Sequence, residues 1–347
     1  MNRLNRPPPG RLSRSTLRSE VLTRVAAAMP WPVLRRLVAA TTRGKSLAFC
    51  LHRVGRERRP SEAEPALTVL EAVLDEFVQQ MCEARREHGT APCLTLAFDD
   101  GYADAVEYVA TRAPRYPHVE WLLFVCPGKI HHGLGFRWDA YEAHIEQGRN
   151  VPSMRSFIQP PDADYHAEHQ REDLAEVARQ GRFALATHEQ LLEVAELDNV
   201  TLGNHSNSHL ISALPMHQAL RDLDESTEMF EEMFGPCGQF AFPFGIPELH
   251  FQREHVEHLR RLRPLVMWTT ESYPYRAEQR RAGAVLPRFV FNGLWSAKAM
   301  ALWVALRARR LDRVNRATWV DSAGSPAALA VAGSNLISLL EAIAVCL

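Results

Sequence analysis

The chain has 347 residues, 46% apolar and 23% charged, with a formal net charge of −1. That length buries a sizeable core and admits one large α/β barrel or two smaller domains. The balanced charge leaves no electrostatic footprint for a nucleic-acid partner, and the apolar runs are too broken for a membrane span or a signal-peptide core.

Residues 1 to 20 hold five arginines, a Pro7-Pro8-Pro9-Gly10 break and a single acid, Glu20. They read as a disordered basic lead. From Val21 to Ala40 the apolar residues are interrupted by Arg24, Pro30, Pro32, Arg35 and Arg36, so residues 1–44 form an N-terminal extension, disordered or helical. The first strand is Ser46 to Leu51, followed by His52-Arg53-Val54-Gly55. Leu67, Leu70, Val73, Leu74, Phe77, Val78 and Met81 then recur at helical spacing, predicting an amphipathic helix over 65–86.

Cys93 to Phe98 is a second buried strand, and it stops at Asp99-Asp100-Gly101. Asp-Asp-Gly on its own is also a common turn. Successive side chains of an extended segment point different ways, so the two carboxylates have different jobs. Val119 to Val125 is strand three. Periodicity weakens over 129–186, where His131, His132, Trp138, Asp139, His144, His166 and His169 gather. This insertion reads as a solvated excursion in preference to a second metal site built by its histidines, with a cleft lining that touches substrate through Trp138 and Asp139 as the intermediate case.

Helical spacing returns over Thr187 to Leu197. Strand four, Val200 to Leu202, runs into Gly203-Asn204-His205-Ser206-Asn207-Ser208-His209. His205 and His209 are four apart, the separation of one helical turn, and with a carboxylate they make a three-ligand divalent site that leaves positions for water and substrate. A surface helix from Pro215 to Phe234 ends at Gly235-Pro236. Strand five, Gln239 to Phe242, leads to Pro243-Phe244-Gly245. Leu265 to Trp268 is strand six and Val285 to Phe291 strand seven, with a helix from Trp295 to about Ala317. The final Ala327 to Leu347 reads as a peripheral helix or a partner-docking tail.

Seven short apolar runs alternating with helical patterns predict an α/β fold. The polar stretches at 52, 99 to 100, 205 to 209 and 243 to 245 each follow the C-terminal end of a strand, the face on which a β/α barrel builds its active site. Cys50, Cys93 and Cys126 fall on or beside strands as small core residues, and none of the six cysteines makes a Cys-x-x-Cys pair.

Phe98-Asp99-Asp100-Gly101 and His205-Ser206-Asn207-Ser208-His209 resemble the first two motifs of the polysaccharide deacetylases, the NodB-homology or carbohydrate esterase family 4 group. Ala241-Phe242-Pro243-Phe244-Gly245 is a weaker match to the third. The resemblance spans roughly 46 to 291 and implies a distorted (β/α)7-type barrel over 45–293, with helical extensions at 1–44 and 294–347. It implies Asp100, His205 and His209 as ligands of one divalent metal, most often zinc, with nickel, cobalt, manganese or iron as other choices, and Asp99 as general base. The backbone N–H of Phe244, flanked by Pro243 and Gly245, becomes the oxyanion donor. The usual late acid-supplying histidine is missing. His52, first in the chain, resembles its counterpart in the circularly permuted branch that includes the poly-N-acetylglucosamine deacetylases; its plain alternative is a structural strand-end histidine. Ala241 stands where the family often has a base-orienting arginine, and Arg288 supplies that charge or is an ordinary salt-bridged arginine.

The expected activity is metal-dependent removal of N-acetyl groups from amino sugars of a glycan or a lipid-linked precursor. The alternatives are hydrolysis of a non-sugar amide, imide or O-acetyl ester, and a catalytically dead glycan-binding relative. Without a recognisable export signal the expected compartment is the cytoplasm, with peripheral membrane contact as the remaining option.

Overall fold

The computed structural model describes residues 14–57, 66–89, 92–150, 171–179 and 181–314. Its strands are β1 (Ser46–Leu51), β2 (Arg53–Gly55), β3 (Thr68–Leu70), β4 (Cys93–Phe98), β5 (Val119–Val125), β6 (Val200–Asn204), β7 (Gln239–Ala241), β8 (Val266–Trp268), β9 (Val285–Leu286) and β10 (Phe289–Val290). Eight of them form one all-parallel sheet in the order β10-β1-β4-β5-β6-β7-β8-β9. The predicted strand seven is broken at Pro287-Arg288. Proline cannot donate to a ladder, so the segment changes neighbours there: Leu286 pairs with Trp268 of β8, and Phe289 pairs with Phe49 of β1. The two ends of the sheet thus meet in one six-residue segment, and the sheet curls into a distorted barrel.

Strand alternation sorts the core into two layers. Ala48, Ala97, Leu122, Phe124, Ala241, Trp268 and Leu286 pack together inside the curl. Leu47, Phe49, Leu51, Leu96, Phe98, Trp121 and Leu123 face outward and are covered by helices, chiefly those at Glu71–His88, Ala103–Arg112 and Met216–Phe234. Gly203 lets two strands approach, because a Cβ there would lie 2.4 Å from the Phe124 ring.

Several elements differ from the sequence reading. The predicted helix over 65–86 starts only at Glu71; residues 68–70 instead pair with Arg53–Gly55 in a two-stranded sheet. The basic lead is helical from Arg14 to Ala28, and a second helix, Trp31–Thr41, carries Pro32 in its first turn, where a missing N–H costs nothing. Ala26 and Leu34 of this pair pack on Ala299 and Leu302 of the helix Ala297–Val314. Residues 1–13 and the tail at 327–347 lie outside the described residues.

The 129–186 insertion folds in part. Helix Pro127–His132 opens it, and helices Arg137–Glu146 and Glu172–Val177 share a small core of Ala140, Ala143, Leu174 and Val177 with Leu134 and Phe183; His166 and His169 lie outside the described residues. A helix at Arg253–Leu262 was not anticipated, because only Val256, Leu259 and His255 of its ten residues are buried. Cys50 and Cys126 are buried as expected, whereas Cys93 is exposed at the start of its strand. Among the described residues no helix is long and apolar enough to cross a membrane.

Candidate active site

Parallel register brings the chemistry together. Leu51 pairs with Phe98, Phe98 with Leu123, Val125 with Asn204, and Ala241 with Trp268, so the residues just past these strands stand level around one mouth. The ladders extend slightly beyond the strands: the Asp99 N–H donates to Leu51 O at 2.8 Å and the His205 N–H to Val125 O at 2.8 Å. Period two then decides which way each side chain points. Cys50 and His52 continue the inward face of Ala48, Asp99 continues that of Ala97, and Arg288 continues that of Leu286.

At Asp100 the backbone leaves the extended region. Its φ is 76° and that of Gly101 is 74°, which swings the second carboxylate toward the histidines. Among the described residues, five non-glycine positions have positive φ, and four of them, Asp100, Ser206, His209 and Phe244, are here. Left-handed backbone costs of order 1–3 kcal/mol per residue and concentrates where function requires it.

The His205/His209 couple is not on a helical turn, contrary to the reading from its spacing. Residues 205–210 are an irregular loop pinned from below by Asp222 of the helix Met216–Phe234. Its carboxylate accepts from the Asn207 N–H at 3.0 Å, the Ser208 N–H at 3.2 Å and the Ser208 hydroxyl at 2.6 Å. Ser206 Oγ accepts from the His209 N–H at 3.1 Å. The imidazoles converge because a loop is anchored, with their ring centroids 5.0 Å apart.

His205 Nδ1 lies 2.8 Å from the Ala241 carbonyl and donates to it, which fixes the tautomer and leaves the Nε2 lone pair facing Asp100. Asp100 Oδ1 is 3.7 Å from His205 Nε2 and 3.5 Å from His209 Nε2. That oxygen is buried and has no hydrogen-bond partner among the described residues. Burial, followed by the nearby Asp99 charge, pushes the Asp100 carboxyl well above its usual range. Burial also holds His205 below, and His209 well below, the usual imidazole range. One buried carboxylate oxygen without a donor, facing two neutral imidazole lone pairs, is a donor set suited to a divalent cation. Metal–ligand bonds of about 2.0–2.2 Å place neighbouring ligand atoms roughly 3.3–3.6 Å apart; the His209 separation falls in that range and the His205 one lies just beyond it.

Asp99 differs from its neighbour. Burial alone would raise its pKa, but Arg288 holds it well below the carboxylate range. Arg288 Nη1 and Nη2 donate to the two Asp99 oxygens at 2.6 and 2.9 Å, and neither side chain is more than 4% exposed. The Cys50 thiol donates to Asp99 Oδ2 at 3.3 Å. His52 lies beside them: one ring nitrogen, the Cys50 sulfur and an Asp99 oxygen are all within 4.8 Å of one another. Burial lowers the His52 pKa to about 4, against the pull of Asp99.

Phe244 takes φ 58° between Pro243 and Gly245, whose N–H closes back on Pro243 O at 2.7 Å. The Phe244 ring, 37% exposed, stands over His209 at 4.8 Å, with Trp138 against the same histidine at 4.9 Å. A cleft beside the ligands is lined by Lys129, Phe136, Trp138, His209, Leu210 and Phe244. Asp139 does not face it. Its carboxylate is fully buried beneath, accepting from Tyr102 Oη at 2.8 Å and Arg53 Nη1 at 3.3 Å, while Tyr102 Oη accepts from Trp138 Nε1 at 2.9 Å. Asp139 therefore orients Trp138 and makes no contact with the cleft.

The sequence reading took Cys50 for a core residue and passed over Tyr102, Asp222 and His250. Asp222 carried a signal, because it sits in register with Ala219, Leu223, Ser226 and Phe230 on the buried face of its helix; a carboxylate on such a stripe needs partners. His250 supports the Phe244 turn. Its Nδ1 accepts from the Ile246 N–H at 3.2 Å, and the ring is also bonded to the Phe244 backbone. Burial holds its pKa to about 4. Between that pH and about 6.5 the unfolded chain binds a proton that the folded one refuses, so stability is lost as pH falls through this window. Protonated Nδ1 would also reject the Ile246 amide. In metal-free protein the unfolding free energy from urea titration is expected to fall more steeply from pH 6.5 to 4 for wild type than for His250→Asn, a difference of about 1–3 kcal/mol. Parallel pH curves would remove the role.

No family model matches the chain, and no curated protein matches it. Solved structures do. The Streptococcus pyogenes deacetylase PplD in complex with acetate aligns at TM-score 0.50 and 14% identity, covering 75% of this chain and 97% of that one. IcaB from Ammonifex degensii aligns at 0.48 and 15%, covering 75% and 97%. BC0361, a polysaccharide deacetylase from Bacillus cereus, aligns at 0.45 and 11%, covering 75% and 68%. The fold of this chain, a curled parallel sheet covered by helices, is therefore that of the solved deacetylase structure.

Proposed function

We propose that the protein is a metal-dependent hydrolase that removes N-acetyl groups from amino sugars of a glycan or glycan precursor. The observation that carries this reading is the convergence of Asp100, His205 and His209 beside an Asp99–Arg288 pair and His52 at one barrel mouth. Asp100, His205 and His209 would hold the ion, zinc by the chemistry of two imidazoles and a carboxylate. When bound, such an ion polarises an amide carbonyl and can lower the pKa of water from about 15.7 to near 7.

The remaining chemistry belongs to the chain. Asp99, kept ionised and aimed by the two Arg288 donors, takes the proton of the attacking water. The Phe244 N–H at the cleft edge donates to the tetrahedral oxyanion. His52, neutral in the resting protein, receives a proton during the cycle and delivers it to the departing amine nitrogen. Trp138 and Phe244 flank His209 and form the apolar wall against which an acetyl methyl packs.

Mass spectrometry of acetate release from N-acetylglucosamine monomers, oligomers and lipid-linked sugars tests the reading. Turnover that a chelator abolishes and added zinc restores is expected. Turnover indifferent to the chelator, or none across the panel with metal bound, would overturn it.

A further inference from the structure

We propose that Cys50, His52 and Asp99 form a second, weaker cation site, selective for thiophilic ions, whose occupation shuts the active site. The inner-face register places these three side chains together, with Cys50 paired to Ala97 one step below the level of His52 and Asp99. Their ligand atoms lie within 4.8 Å of one another and share no residue with Asp100, His205 and His209.

The hydrogen bonds leave room for an ion. Asp99 Oδ1 accepts from Arg288, and Oδ2 accepts from Arg288 and the Cys50 thiol. A carboxylate offers about four lone-pair positions, so only the thiol proton stands between Oδ2 and sulfur. The 3.3 Å gap between them is close to the separation of a thiolate and a carboxylate oxygen on one zinc, with bonds of about 2.3 and 2.1 Å. His52 has no hydrogen-bond partner at either ring nitrogen among the described residues, so a lone pair is free. Binding breaks the Cys50 S–H bond, forms a sulfur–metal bond and releases the proton to solvent. A thiolate among the donors favours zinc, cadmium or cobalt over magnesium or calcium.

Position also dictates the weakness. Arg288 and an ion at the Asp100 site both repel a second cation, so this site fills only in excess metal. On the functional reading above, its filling removes the base and the acid together, and activity falls as metal rises beyond the first equivalent.

Cobalt titration of the metal-stripped full chain decides the matter without an activity assay. The first equivalent should show ligand-field bands alone, since oxygen and imidazole are its donors. Further cobalt should bring in a near-ultraviolet thiolate-to-cobalt charge-transfer band, at a half-saturation about tenfold or more higher. Cys50→Ser should erase that band and keep the first equivalent. His52→Gln, which spares the thiol, should raise the half-saturation of the band by about tenfold or more. Cys82 and Cys93 remain in both variants and serve as internal controls. A band that survives Cys50→Ser, one indifferent to His52→Gln, or none in wild type at saturating cobalt overturns the proposal. Loss of the thiolate-free first equivalent strikes instead at the Asp100–His205–His209 reading, and the thiolate band still decides the Cys50 site.

Discussion

Asp99→Asn is expected to lower deacetylation by about 100- to 10,000-fold while the variant still binds one zinc per chain. The two aspartates are adjacent in sequence, but backbone geometry separates their work. Asp99 continues the inward face of β4 and meets Arg288, whereas Asp100 turns through positive φ and meets the histidines. An asparagine keeps the shape of Asp99 and loses its ability to accept a proton. It also leaves the buried Arg288 guanidinium opposite an amide. Removing one partner of such a pair costs about 3–5 kcal/mol in other proteins, so a thermal melt and metal content are measured beside the rate. Activity within tenfold of wild type would mean another group is the base. Loss of zinc together with activity would mean that Asp99 is itself a ligand.

Much of this site was legible because strand ends announce themselves. The apolar runs before His52, Asp99 and His205 mark three C-terminal strand ends, and parallel β/α order makes those ends neighbours. Spacing was a poorer guide. The four-residue interval of His205 and His209 suggested a helical turn, yet Ser206 and His209 take left-handed backbone in a loop whose anchor, Asp222, is a distant contact. Trp138 and Asp139 were read together as cleft residues, but neighbours on a helix point about 100° apart, and only Trp138 reaches His209. The exchange of partners at Pro287-Arg288 was half visible. Proline flagged the break, but only the pairing of Leu286 with one edge of the sheet and Phe289 with the other shows that the interruption closes the barrel and delivers Arg288 to Asp99.

Replacing a ligand is expected to separate stability from function in opposite directions. His209→Ala and Asp100→Asn should each weaken zinc binding by more than the roughly 10- to 100-fold typical of losing an outer hydrogen-bond partner, and activity should fall with occupancy. Their stabilities should differ in kind. In wild type without metal, Asp100 is a buried carboxylate whose Oδ1 lacks a partner, and its raised pKa means that ionisation opposes folding as pH rises toward neutrality. Binding only the folded state, zinc at 1,000 times its Kd would add about 4.1 kcal/mol, so chelation should lower the wild-type melting temperature by several degrees. Asp100→Asn removes the buried charge along with the ligand. Its melting temperature should equal or exceed that of chelated wild type and should not rise with a single equivalent of zinc, whereas His209→Ala, which keeps the carboxylate and opens a cavity beside Trp138 and Phe244, should melt below both. Differential scanning fluorimetry with and without chelator reads all three proteins. An Asp100→Asn protein that melts well below chelated wild type would show that Asp100 serves the fold and not a cation, and one that a single equivalent of zinc stabilises as much as wild type would place the first ion elsewhere.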